Sequence, residues 1–270
     1  MADVRETGTA LAQGISFTFL TGRALSAPVA TEHEALRFVS PRQMLGLSFC
    51  PADVGAVRWL NMADTRHFLW DFDGTLMDTY SVLTRMMADT CRRLGHEEDP
   101  AQLLSLLKHS LPYTMGVMAE RYGISLDEFR SAYPEKETEA DLLAVRPIPG
   151  IPQVLKALTE RGAKHYIVTH RSRATCELML RQHGLLAYFT GMVTAEDPLP
   201  RKPDPARCLR ILESYGLAPG EAVMIGDRPL DVNAGRAAGL MTLLLDTEGR
   251  FPDCPADFTV SDIRQMLTMA

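Results

Sequence analysis

The sequence predicts an α/β protein, a mainly parallel sheet with helices on both faces, interrupted once by a long all-helical stretch. Three observations predict it. From Arg66 onward, short apolar runs such as HFLWDF, HYIVTH, AVMIGD and MTLLLD recur, each the length of a buried strand. Helical patterns stopped by glycine, such as VLKALTERG and ATCELMLRQHG, separate them. Between the first and second runs, residues 79–145 carry almost purely helical patterns. Strands joined by helices of this length pair in parallel and are covered on both sides.

Whole-chain properties bound the partners. The 270 residues, 46% hydrophobic and 23% charged, suit an ordinary globular protein of one large or two smaller domains. A net charge of −6 gives no reason to expect nucleic acid or an anionic membrane. An anionic ligand must then be attracted by local charges or a metal. No apolar run approaches the roughly 18–20 residues of a membrane span. Cys50, Cys91, Cys176, Cys208 and Cys254 are odd in number and form no CxxC pair. That usage suits a reducing compartment and argues against a disulfide framework or a thiolate zinc site. A cytoplasmic monomer or homodimer is expected.

In chain order, residues 1–61 show no sustained period of 2 or 3.6 and are expected to be a poorly structured extension. The competing expectation is that Phe17, Phe19, Phe38, Phe49 and Trp59 cover a surface. Met62 opens the stretch MADTRHFLWDFDGTL and is a candidate natural start. HFLWDF is a strand ended by Asp73 and Gly74. SVLTRMMADTCRRLG, PAQLLSLLKHS and SLDEFRSAYPEKETEADLLA are helical, with Gly, Pro and Ser breaks between them. Their methionines Met86, Met87, Met115 and Met118 are expected as core fillers. After PIPGIP, strand and helix alternate to the end, where DFTV and SDIRQML add a last strand and helix. The domains expected are the extension 1–61, a core of 62–78 and 147–270, and an all-helical insert 79–146.

Chemistry gathers where these strands end, which is where open parallel sheets bind ligands. HFLWDF delivers Asp71 and Asp73, HYIVTH delivers Thr169, and AVMIGD delivers Asp227 with Asp231 four residues on. The loop PRKPDP supplies Lys202. One strand-end acid means little, because caps and turns use Asp constantly. Four separate elements converging with acid, hydroxyl, amine and acid are harder to explain structurally. Clustered carboxylates repel unless a cation sits among them, and Mg²⁺ prefers oxygen ligands. Beside it Asp71 could attack a phosphate, and Asp73, on the same face of an extended segment, could move protons. Lys202 would offset charge on the transferring group, and Thr169 would hold phosphate oxygens.

DFDGTL, the strand ending VTH, RKPDP and GDRPLD, in that order, resemble the four motifs of the haloacid dehalogenase superfamily of phosphohydrolases. The resemblance covers residues 67–245 or so. It implies a Rossmann-like core with an inserted helical cap, similar to that of phosphoglycolate phosphatase-like members. It implies Asp71 as nucleophile, Asp73 as general acid and base, and Mg²⁺ held by Asp71, the Asp73 backbone carbonyl and Asp227. Asp231 then supports the metal shell or Lys202. The activity implied is hydrolysis of a small phosphorylated metabolite through an aspartyl-phosphate. A sugar phosphomutase is the alternative, although such relatives show Glu-Asp where this chain has Gly226-Asp227. Asp73 speaks against a dehalogenase, and the full set of catalytic groups against an inactive phosphate-binding module.

Around this set, Gly74 and Thr75 turn the chain and leave backbone groups to face phosphate. His170 and Arg171 follow Thr169 and are candidates for substrate contact; a surface charge and a backbone-bonded histidine are the plainer alternative. Arg228 could contact substrate or simply pair with a nearby acid. KHSLPYT occupies the place of the specificity loop of relatives, with Ser110 where they carry Gly. Lys108, His109 and Tyr113 are therefore candidates for reading the leaving group.

Overall fold

A computed structural model describes residues 5–12, 15–21, 44, 47–49, 53–134 and 137–268. They fall into two units, one within Met1–Thr65 and one spanning Arg66–Thr268. In the first, strands β1 (Arg5–Ala12) and β2 (Ile15–Thr21) pair antiparallel, from Arg5 opposite Thr21 to Ala12 opposite Ile15. Helix α1 covers Val54–Asp64. Described parts of a segment expected to be poorly structured are thus regular. The signal was Ile15-Ser16-Phe17-Thr18-Phe19, an alternation of strand period too short to stand out. Phe38 and the side chains of Phe17, Phe19 and Trp59 lie outside the described residues.

The second unit begins with strand β3 (His67–Trp70), whose last three residues are buried. The chain then leaves the sheet for five helices: α2 (Tyr80–Arg93), α3 (Pro100–Leu107), α4 (Leu111–Tyr122), α5 (Leu126–Ala132) and α6 (Glu139–Ala144). They bury their own apolar cluster, which includes Met87, Cys91, Leu103, Met115, Met118 and Phe129. Met86 is buried as well, so all four methionines expected as core fillers are inside. The two strands of chain joining insert and sheet bond to each other: Asp78 N–H donates to Arg146 O at 2.8 Å and Ile148 N–H to Leu76 O at 3.0 Å.

KHSLPYT is no extended loop. Ser110 Oγ accepts the Tyr113 N–H at 3.2 Å and Pro112 occupies the first turn, so the segment caps α4.

Past the insert, helices α7 (Ile151–Glu160), α8 (Arg173–Gln182), α9 (Ala206–Tyr215) and α10 (Pro229–Ala237) alternate with the remaining strands. These are β4 (Lys164–Val168), β5 (Phe189–Val193), β6 (Ala222–Gly226), β7 (Met241–Leu245) and β8 (Phe258–Val260). The sheet order is β5-β4-β3-β6-β7-β8 and every pair is parallel. This is the α/β, Rossmann-like arrangement expected. Strands β6 and β7 are buried at all five positions, as strands covered on both faces must be. SDIRQML forms tight 3₁₀ turns over Ile263–Thr268 instead of an α-helix; six residues are few for α-helix nucleation.

The order fixes where a ligand can sit. From β3 the chain steps outward to β4 and β5, then crosses to β6 on the other side of β3. Strand β3 therefore lies at the point where the winding reverses, and the crevice outside its carboxyl end is open.

Candidate active site

That crevice receives the carboxyl ends of β3, β4 and β6 together. Trp70 pairs in register with Ile167 on one side and Ile225 on the other, so Asp71, the next residue, stands at the mouth. Its N–H still donates to Ile225 O at 2.8 Å, which fixes its backbone before the chain turns. The turn needs Gly74, which sits at φ +79°. A Cβ there would lie 2.3 Å from the Tyr80 ring and 2.5 Å from Asp227 Oδ2, so no side chain fits.

Lys202 organises the buried charges. Its Nζ lies 2.6 Å from Asp71 Oδ1 and 2.6 Å from Asp231 Oδ1, and donates to Val168 O at 2.9 Å. Burial alone would depress its pKa, but Asp231 and Asp71 raise it above the usual lysine range; it stays charged. Burial, reinforced by Asp231, pushes the Asp71 carboxyl up to about 6 against the opposing pull of Lys202. Burial pushes Asp227 higher still, to about 8. Two carboxylates that resist ionisation side by side need a compensating charge.

The donor set fits a cation. Asp71, Asp227 and Asp231 each offer an oxygen, all within 4.8 Å of one another. Asp231 is already spent on Lys202. Asp71 Oδ2 and both oxygens of Asp227 are buried without a hydrogen-bond partner, and an orphaned buried carboxylate is costly. A hard divalent ion among these oxygens would satisfy them. The Asp73 side chain is turned elsewhere.

Asp73 is held by Arg171, whose Nε and Nη2 both lie 2.8 Å from Asp73 Oδ1. Burial works against ionisation of Asp73, but Arg171 overrides it and keeps the carboxyl below its usual range. Arg171 Nη1 also donates to both oxygens of Glu137, at 2.9 and 2.7 Å. Glu137 belongs to the helical insert, so one guanidinium ties the sheet edge to the helices above it.

Thr169 is fully buried, and its hydroxyl oxygen accepts the Arg171 N–H at 3.1 Å. Its own proton remains to donate. Thr75 is likewise buried, its hydroxyl unpartnered. His170 plays the plainer of its two expected parts. Its Nε2 accepts the Lys202 N–H at 2.9 Å, and burial next to Lys202 holds it down to about 3. It is a neutral brace for the lysine loop.

A cavity of about 510 Å³ opens above this edge, walled by Asp73, His170, Arg171, Arg201 and Arg228 on the sheet side. Tyr80, Leu107, Ser110–Pro112, Tyr133 and Glu137 wall the insert side. The expected readers of the leaving group are not among these walls. Tyr113 is 50% exposed. Lys108 Nζ rests 5.6 Å over the Tyr80 ring and 3.8 Å from Glu248.

Sequence reasoning missed Tyr80, Glu137 and Arg207. The last donates to Pro200 O at 2.9 Å, Thr194 O at 2.7 Å and Leu199 O at 2.9 Å, fixing the loop that leads to Lys202. An arginine one residue into the helix after RKPDP was a usable signal; Glu137, inside the polar run EKET, offered none.

Residues 68–245 match the family model described as haloacid dehalogenase-like hydrolase. A phosphoglycolate phosphatase of Aquifex aeolicus is 30% identical over 184 residues, 66% of this chain and 84% of the relative. The pyrophosphatase PpaX of Bacillus velezensis is 32% identical over 179 residues, 64% of this chain and 80% of the relative. A solved hydrolase from Streptococcus pneumoniae superposes with a TM-score of 0.51 at 30% identity, covering 66% of this chain and 91% of that one.

Proposed function

The chain belongs to the haloacid dehalogenase-like hydrolases, and from that premise we propose a Mg²⁺-dependent phosphomonoesterase acting on a small phosphorylated metabolite. The observation that carries the reading is Lys202, buried between Asp71 and Asp231, with the free edges of Asp71 and Asp227 beside it. Lys202 balances the charge of the Asp71 carboxylate, which would attack phosphorus. The carboxylate–phosphorus bond forms as the bond to the leaving oxygen breaks, giving an aspartyl-phosphate on Asp71.

Asp73 supplies the proton to that leaving oxygen and later takes one from the attacking water. Arg171 keeps it ionised at rest, which suits the second half-reaction. An anionic substrate beside Asp73 opposes Arg171 and raises its proton affinity for the first. Thr169 and Lys202 donate to phosphoryl oxygens, and the backbone at Gly74 and Thr75 approaches them closely. Mg²⁺ would be held by Asp71 and Asp227, with the Asp73 carbonyl as third protein ligand, and would supply charge stabilisation to the phosphoryl group.

A reducing, cytoplasmic setting is part of the proposal. Cys91, Cys176, Cys208 and Cys254 are free thiols; Cys50 lies outside the described residues. Among the described residues no helix is long and apolar enough to cross a membrane.

The test is a panel of phosphorylated metabolites with Mg²⁺ or chelator, followed by the stereochemical course at phosphorus of a substrate made chiral with isotopic oxygen and sulfur. Hydrolysis that chelator abolishes, with overall retention from two successive in-line displacements, is expected. Inversion at phosphorus would mean direct attack by water and would overturn the covalent scheme.

A further inference from the structure

Arg228 and Tyr80 are left unused by the chemistry above, and both stand in the cavity wall. Tyr80 is 7% exposed, yet its hydroxyl has no hydrogen-bond partner. Arg228 Nε is buried and makes no hydrogen bond; the nearby carboxylate oxygen, Asp227 Oδ1, is 3.7 Å away. The two donors belong to separate elements, the first residue of α2 and the residue capping α10. Both border the same carboxylate, since Asp227 and the Tyr80 ring crowd the same side of Gly74. The Tyr80 ring cannot turn its hydroxyl to water without leaving the insert's apolar cluster, of which it is a member. Lys108 rests on that ring.

Two buried donors without acceptors, in one cavity, call for an acceptor brought from outside. It must be an oxyanion. A guanidinium prefers a planar or tetrahedral anion that takes its fork, and a phenol adds a third, uncharged donor. We propose that Arg228 and Tyr80 form an oxyanion-binding pair, additional to Lys202 and Thr169, that receives oxygens of the bound phosphate compound. The assignment rests on the phosphatase reading and extends it to Arg228, which follows Asp227 in the fourth motif, and to Tyr80 at the start of the helical insert. The acceptor oxygens can come from the transferring phosphoryl group or from a second anionic group on the leaving side.

The experiment uses the full chain at saturating Mg²⁺, with Arg228→Gln, Arg228→Lys and the isosteric Tyr80→Phe. Inorganic phosphate is the probe, read as product inhibition and as the phosphate-induced rise in melting temperature. KM for p-nitrophenyl phosphate, which has one anionic group, is compared with KM for pyrophosphate, which has two. Phosphate inhibition weakened about tenfold by Arg228→Gln, about threefold by Tyr80→Phe and partly restored in Arg228→Lys is the expected result for donors on the phosphoryl group. Unchanged phosphate inhibition with a raised KM for pyrophosphate alone supports the same pair acting on a second anion.

Wild-type values in every variant for phosphate inhibition, melting shift and both KM would overturn the assignment and leave the phosphatase reading intact. A wild-type protein that neither hydrolyses phosphate esters nor responds to phosphate would remove both. Tyr80→Phe keeps the ring in place, so its result holds even if Arg228→Gln fails to fold.

Discussion

At the sheet edge Lys202 is wedged, with no side-chain exposure, between two aspartates. The helices facing it present Leu83, Leu107 and Leu111 to the same cavity and hold together through Met87, Met118 and Phe129. The two walls obey different rules. In the first, charges sit buried among specific partners, Lys202 between Asp71 and Asp231 and Arg171 on Asp73, and deleting one orphans another in a dry environment. In the second, shape and volume matter, and losses are graded by how far neighbours collapse. Chemistry is therefore brittle on one side of the cavity and tunable on the other. Arg171 is the exception that joins them, bonded to Asp73 below and Glu137 above.

The sharpest way to break that contrast is to remove a charge from the floor without removing an atom. Asp73→Asn should lower kcat by about 10²–10⁴-fold, the usual worth of general acid–base help, with unchanged circular dichroism. A drop below tenfold in steady-state assays would show that another group moves the proton.

Next comes the helical side. Phe129 is fully buried in the insert, and Phe129→Ala should cost about 3–5 kcal/mol of unfolding free energy in urea. Turnover of p-nitrophenyl phosphate by the folded fraction should stay within a few-fold. A collapse of that rate in fully folded protein would mean that insert packing sets the catalytic geometry too.

Acid probes the sheet beneath the floor. His165 is fully buried, and burial lowers it to about 4 from an ordinary 6.5. Between those values the unfolded chain binds the proton that the folded one refuses. The His165 contribution to stability should fall as pH drops from 6.5 towards 4, by up to about 1.4 kcal/mol per pH unit, and flatten below. His165→Gln should reduce the slope in that window, measured by denaturant titration. His170, held down by burial to about 3, leaves a residual slope.

The smallest effect is expected at Tyr113. Half exposed and outside the cavity wall, it should tolerate alanine within about 0.5 kcal/mol of stability and with the substrate ranking unchanged. A reordered ranking would return the KHSLPYT segment to the specificity wall by a route other than direct lining.

These two sides were also unequally legible in the sequence. Asp71, Asp73 and Asp227 are placed by the end of their own strand, so a short local pattern such as DFDGTL or IGD carries the information. Lys202 was readable because its loop opens the next helix. Glu137 reaches Arg171 across 34 positions and Arg171 reaches Asp73 across 98; no window of sequence spans either pair. Helix α4 hid behind Ser110 and Pro112, residues that mark a loop and a helix start equally well. The strands β1 and β2 hid because five alternating residues are weak evidence. What local chemistry dictates was visible, and what depends on distant packing was not.

Trp70 is fully buried immediately before Asp71, and its indole N–H donates to His165 Nδ1 at 3.1 Å. The chain carries only one other tryptophan, Trp59. Replacing Trp59 by phenylalanine leaves a single tryptophan, excitable apart from the tyrosines and seated in the strand that delivers Asp71. Protonating His165 turns the accepting nitrogen into a donor and breaks that bond, so the colour and intensity of the emitted light follow the strand's condition. The protein thus contains its own optical gauge of the floor, readable in a fluorimeter without dye, substrate or label.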